Sequence, residues 1–149
     1  MTSRPALASD EPFLLELFLE RKRAEFSAAV WPAQVREPFL QQQAVLWAQS
    51  RSTLETRVLE RGGAPVGALV LGGEGNSLRL VELVVASRAR RQGVARAALR
   101  EVLARADAAG QPVVLQTEAG SPAEALYRAH GFVDDGGDGL SVRLRRPAR

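Results

Sequence analysis

An apolar, strand-like run, Leu83-Val84-Val85-Ala86, leads into Arg90-Arg91-Gln92-Gly93-Val94-Ala95, where a helix pattern begins at once. Such a junction can hold a phosphate. The first N–H groups of a helix have no partner inside it, and the helix dipole favours negative charge at that end. Gly93 lets backbone approach a bulky anion with no side chain in the way, and Ala95 is nearly as small. Arg90, Arg91 and Arg96 add positive charge around this cradle. Other chemistry-bearing types are sparse. The only histidine, His130, stands near a helix C-terminus, where a cation suits the dipole. Cysteine is absent and no histidine–carboxylate cluster occurs, so no metal site and no disulfide framework are expected.

A second stretch lies about thirty residues on, Ala123-Glu-Ala-Leu-Tyr-Arg-Ala-His-Gly-Phe132. Together the two resemble the GNAT-type N-acetyltransferases. That family's first motif, Arg/Gln-x-x-Gly-x-Gly/Ala after a strand ending in Leu-x-Val, is matched by Arg90 to Ala95 after Leu83-Val84-Val85. Its second, Ala-x-x-Leu-Tyr-x-x-x-Gly-Phe, is matched by Ala123, Leu126, Tyr127, Gly131 and Phe132. The resemblance covers Leu78 to Phe132, a little over a third of the chain.

The resemblance implies acetyl-coenzyme A as cofactor and a primary amine as acceptor. Attack would be direct, with both molecules bound. The pyrophosphate would rest on backbone N–H groups of Arg91, Gln92, Gly93, Val94, Ala95 and Arg96. The main chain of Leu83, Val84 and Val85 would pair with the amide-bearing arm of the cofactor, and an N–H near Val85 would face the thioester oxygen. Tyr127 matches the family's usual general acid. Two carboxylates are candidates for the base. Glu82 shares the strand beside the thioester, and Glu118 follows the next strand, where ligands of parallel sheets collect. Phe26, Trp31 and Gln41-Gln42-Gln43 belong to the helix pair that borders the acceptor site in this family. Two positions depart from the pattern: Ser87 stands where proline is frequent, and Gly120 near where asparagine is. The acceptor is a small-molecule amine or a peptide or protein amine, and a homodimer is compatible with the family. A GNAT-fold module that binds acyl-coenzyme A without turnover is the alternative.

These residues need a scaffold. The pattern predicts a strand over Arg4 to Ala8, then a helix opened by Ser9-Asp10-Glu11-Pro12. That helix has Leu14, Leu17 and Phe18 on one face and Glu16, Glu20 and Arg23 toward water, and runs to about Ala29. Trp31-Pro32 breaks it. A second helix from Glu37-Pro38 to Ser50 carries Phe39, Leu40, Leu46 and Trp47. Strands follow at Leu54–Arg61, Val66–Leu71 (apolar throughout, hence buried on both faces) and Ser77–Ala86, joined by glycine turns into an antiparallel meander.

The central helix spans Arg91 to Ala109, with Val94, Ala98, Leu99, Val102, Leu103 and Ala106 inward. Val113-Val114-Leu115 is a buried strand, parallel to the one before the helix if the crossover is right-handed. Ser121-Pro122 opens a helix that Gly131 closes. Phe132-Val133 is a brief strand, Asp135 to Gly139 a turn, and Leu140, Val142 and Leu144 the inward side of a last strand. The order β-α-α-β-β-β-α-β-α-β-β is that of the GNAT fold: one α/β (α+β) domain over residues 1–149, with a mixed central sheet and splayed parallel strands.

Composition sets outer limits. The 149 residues are 46% hydrophobic, enough for a real core. No apolar run is long enough to span a membrane, and the first residues lack the apolar run of a signal peptide, so a cytoplasmic protein is expected. The net charge of +3 is a small excess of arginines scattered among acids. No nucleic-acid motif accompanies it, and no nucleic-acid or membrane partner is expected. The basic tail, Arg143, Arg145, Arg146 and Arg149, reads as a solvated end.

Overall fold

Apolar alternation interrupted by glycine turns makes strands that pair in sequence order. The computed structural model of the chain describes residues 1–26 and 32–149. β1 (Thr2–Pro5), β2 (Glu55–Arg61), β3 (Ala64–Glu74) and β4 (Ser77–Val85) form an antiparallel array. β4 then pairs parallel with β5 (Val113–Glu118). Antiparallel β7 (Ser141–Arg146) and β6 (Val133–Gly137) complete the seven-stranded sheet, ordered β1-β2-β3-β4-β5-β7-β6.

The two sheet faces have separate cores. α3 (Val94–Ala108) lays Val94, Ala98, Leu99, Val102, Leu103 and Ala106 on one face, against Leu69, Leu71, Leu80 and Leu115. These are the six inward positions expected from the helical period. Tyr127 of α4 (Pro122–Ala129) and Phe132 join this core. α1 (Glu11–Glu25) covers the other face through Leu14 and Leu17, which meet Ala68, Val84 and Trp47. α2 (Ala33–Arg51) packs on α1 through Leu40 and Ala44. Val66 to Leu71 is buried throughout, as a strand covered on both faces must be.

Several boundaries differ from expectation, each for a local reason. β1 lies at Thr2–Pro5, not Arg4–Ala8, because the Asp10 carboxylate turns the chain. It accepts the Leu7 N–H at 2.7 Å and both ends of the Arg4 guanidinium at 2.8 Å. α1 is described to Glu25; Ala29 and the Trp31 break lie outside the described residues. α2 starts at Ala33 rather than Glu37, since the Pro32 carbonyl accepts from Val35 and Arg36. Pro38 therefore sits inside the helix, near enough to its start that one early carbonyl, that of Gln34, loses its donor. Leu46 is exposed and Ala44 takes the inward position between Leu40 and Trp47.

β5 extends to Glu118 because β7 pairs with all of it. β6 begins after Phe132 and runs to Gly137, shortening the turn. Leu140 is exposed in that turn, where the Asp138 carboxylate accepts the N–H groups of Leu140 and Ser141. The basic tail is not all solvated: Arg146 is buried and makes two bonds to Asp107, at 2.8 and 3.1 Å. Glu20 was expected in water, but it accepts the Ser87 N–H at 2.7 Å. A proline at Ser87 could not make that bond.

Candidate active site

The site begins where a strand pair fails. β4 and β5 are in register at Leu78–Val113, Arg79–Val114 and Leu80–Leu115, and at no later residue. β4 nevertheless continues to Val85 and β5 to Glu118. The register between β3 and β4 slips at the same level: Leu71 pairs with Leu80 and Val70 with Glu82, leaving Val81 as the extra residue. A bulge bends its strand and increases the local twist. It also resets the alternation, so Glu82 joins Val84 on the α1 side while Leu83 and Val85 return to the α3 side.

Beyond the bulge the two edges of β4 differ. Ala86 donates its N–H to Val66 of β3 at 2.8 Å, and the Val84 carbonyl lies against Gly67 of β3. By strand alternation the backbone groups of Leu83 and Val85 face the opened gap. Of the three residues expected to pair with a cofactor arm, Leu83 and Val85 have their main chain available and Val84 has its main chain turned to β3.

The end of β4 leads to the junction expected to hold an anion. Arg91 has φ +62° and Gly93 φ +77°, and Arg91 is the one non-glycine at positive φ among the described residues. Such a chain curls so that successive N–H groups converge. Neither residue can be helical, so α3 starts at Val94, not at Arg91. The first bond of α3 runs from Ala97 N to Gly93 O at 3.0 Å, leaving the amides of Val94, Ala95 and Arg96 outside the helical ladder. A methyl group added to Gly93 would meet nothing within 4 Å.

Arg90, Arg91 and Arg96 are exposed and make no ion pair with a described residue. Neighbouring Arg88, by contrast, donates to the Pro65 carbonyl at 2.6 Å. Gln92 is braced from the side: its Oε1 accepts from Arg61 at 2.6 Å.

Two adjoining hollows join these parts. One, of about 330 Å³, is lined by Arg90, Arg91, Gly93, Val94, Ala95 and Arg96. The next, of about 360 Å³, is lined by Leu83, Val84, Val85, Ala123, Tyr127 and Arg21, among others. They share Val85, Arg90, Ala95 and Leu126. Tyr127 belongs to the α3-side core and Arg21 to α1, so the second hollow passes through the sheet where β4 and β5 part. Tyr127 is buried and tilted on Phe132, ring centres 5.6 Å apart. Burial pushes its phenol up to about 12, so it is a held proton donor at neutral pH.

The two carboxylates expected as bases lie outside this lining. Glu82 is on the α1 side, with Oε2 accepting from Trp47 Nε1 at 2.9 Å and Oε1 from Arg21 Nη2 at 3.3 Å. Glu118 is exposed at the end of β5, opposite Ser141 of β7. His130 has its Nδ1 2.8 Å from the Leu126 carbonyl, a bond that closes α4. Gly120 donates its N–H to Glu124 at 2.8 Å, bracing the turn into α4. Phe26 meets Phe39 edge-on at 6.1 Å, and Trp31 lies outside the described residues.

Arg21 is the residue that sequence reasoning missed. Its signal was present: it continues the apolar stripe Leu14, Leu17, Phe18 at helical spacing, so it had to face inward despite its charge.

The family model described as an acetyltransferase (GNAT) domain matches residues 52–134, more than half of the chain. The chain belongs to the GNAT acetyltransferase family. No curated protein matches its sequence. Solved GNAT structures share its whole fold. The PaiA N-acetyltransferase of Thermoplasma acidophilum, solved in complex with coenzyme A, superimposes with a TM-score of 0.75 at 15% identity, covering 98% of each chain. A GNAT acetyltransferase from Elizabethkingia anophelis with acetyl-CoA bound gives 0.68 at 17%, over 98% of this chain and 97% of its own. The ribosomal-protein-alanine N-acetyltransferase of Brucella melitensis is 27% identical, with a TM-score of 0.65 over 99% of each chain.

Proposed function

We propose that the chain transfers an acetyl group from acetyl-coenzyme A to a primary amine while both are bound. One observation carries the reading: β4 and β5 part after Leu80 and Leu115, opening a passage from the free amides of α3 to the Tyr127 phenol. Acetyl-coenzyme A is the cosubstrate, and it supplies the activated acetyl group and a thiolate leaving group. The residues present suit it. The amides of Val94, Ala95 and Arg96, with Arg90, Arg91 and Arg96 around them, form an anion site large enough for a pyrophosphate. The open edge at Leu83 and Val85 offers strand-like hydrogen bonds to an amide-bearing arm.

Position supports a role for each residue. The Val85 N–H side of β4 stabilises charge developing on the carbonyl oxygen. Tyr127 gives its phenolic proton to the departing sulfur, a role supported by its place in the passage and by a phenol that stays protonated. Glu82 receives the amine proton through one water; its place on the α1 side of β4, opposite Tyr127, supports this. Glu118 is the second candidate. The acceptor is a small-molecule amine or a peptide or protein amine, and the Brucella relative is a ribosomal-protein-alanine N-acetyltransferase.

The test is thiol release by the purified chain with acetyl-coenzyme A and a panel of amines. Release that depends on the amine is expected. Binding of acetyl-coenzyme A with no release for any amine would leave a binding module instead.

A further inference from the structure

We propose that Arg21 reads a carboxylate placed next to the acceptor's amine, so that the acceptor class is amino acids and amines bearing an adjacent carboxylate. The inference rests on the acetyl-transfer reading above and names its second substrate.

The passage has a direction. Its cradle end is marked by Arg90, shared between the two hollows, and its far end by Arg21 on the α1 side of the sheet. A cofactor anchored at the cradle presents its reactive end toward Arg21. Among the described residues, the charged ones lining the second hollow are Arg21 and Arg90, with Glu82 beside Arg21 as its ion partner. Arg90 belongs with the phosphate cradle. Arg21 is therefore a cation in the acceptor half with no phosphate to serve.

Its guanidinium is held rather than free. Nη2 donates to Glu82 at 3.3 Å, and Trp47 fixes the other oxygen of Glu82. The ring centre of Phe18 lies 5.8 Å from the guanidinium carbon. Nε is buried and has no partner among the described residues. The planar fork of arginine matches a carboxylate in two-point geometry. An acceptor offering only an ammonium gains nothing from the guanidinium, whose charge Glu82 balances from one side. An amino acid brings a carboxylate to Arg21, which an amide or a simple amine cannot.

The experiment compares matched sets: an α-amino acid, its amide and its decarboxylated amine, across several side chains, with acetyl-coenzyme A saturating. Wild type, Arg21→Gln and Arg21→Lys are measured for kcat and KM separately. In wild type the amino acid should be preferred over both partners by roughly 10–100-fold, mostly in KM. The preference should collapse toward unity in Arg21→Gln and be partly kept in Arg21→Lys. The thermal shift by acetyl-coenzyme A should be the same in all three. Amides, peptide amines or decarboxylated amines used as well as amino acids by wild type would overturn the inference and leave acetyl transfer standing. A preference that survives Arg21→Gln would overturn the role of Arg21. If Arg21→Gln does not fold, the wild-type preference and Arg21→Lys decide. No thiol release with any amine would remove the acetyl-transfer reading, and this inference with it.

Discussion

Gly67 of β3 and Val84 of β4 touch backbone to backbone: a methyl group on Gly67 would stand 2.4 Å from the Val84 carbonyl oxygen. The atom met there is backbone and not a flexible side-chain end, so β4 must move if β3 acquires a side chain at that position. The contact presses the last residues of β4 onto β3 and leaves the Leu83 and Val85 edge facing the gap. Gly67→Ala should destabilise the chain by about 1–3 kcal/mol, measured by urea unfolding. It should also weaken acetyl-coenzyme A binding, although residue 67 lies across β4 from the cavity. Unchanged affinity would mean that the open edge does not hold the cofactor.

The cradle prediction uses a graded pair at one position. Gly93→Ala meets no neighbour and bears only the strain of φ +77°, about 1 kcal/mol. It should keep a thermal shift with acetyl-coenzyme A. Gly93→Glu adds a bulky negative group beside the free amides and should abolish the shift, since a ligand stabilises only by binding the folded state. A full shift from folded Gly93→Glu would place the phosphates elsewhere.

Tyr127→Phe should retain the packing on Phe132 and lower turnover by up to roughly 10²–10⁴-fold if proton transfer limits the rate. The raised phenol value, about 12, has a sign that can be read. The neutral, proton-giving form persists above the ordinary tyrosine range, so the wild-type rate should not fall near pH 10 through this group. Pre-steady-state thiol release across pH tests both points. A variant with full turnover, chemistry being the slow step, removes Tyr127 as the acid.

Glu82→Gln should lower kcat/KM more than Glu118→Gln. Glu82 is fixed on β4 by Trp47 and Arg21, whereas Glu118 is exposed at a strand end. If Glu82 takes the amine proton, the deficit should shrink at high pH, where the amine deprotonates unaided. A deficit equal at every pH assigns Glu82 to holding Arg21, and a larger one from Glu118→Gln reverses the order of the two carboxylates.

Local pattern carried much of this molecule. The six inward residues of α3, the doubly buried Val66 to Leu71 and the glycine-punctuated meander follow from periodicity and turn chemistry alone. The junction of β4 and α3 was legible for the same reason: strand end, glycine and helix start are contiguous, and the amides they free are local in origin. What escaped was set by partners distant in sequence. β5 runs to Glu118 because β7 pairs with it, and Arg146 is buried because Asp107 meets it. The bulge at Val81 exists only as a register between β3 and β4, yet it decides which face Glu82 takes. Arg21 reaches the passage because α1 packs over the opened end of β4, sixty residues away along the chain. Periodicity tells a side chain whether it faces inward, but only the packing of one element on another decides which cavity it meets there.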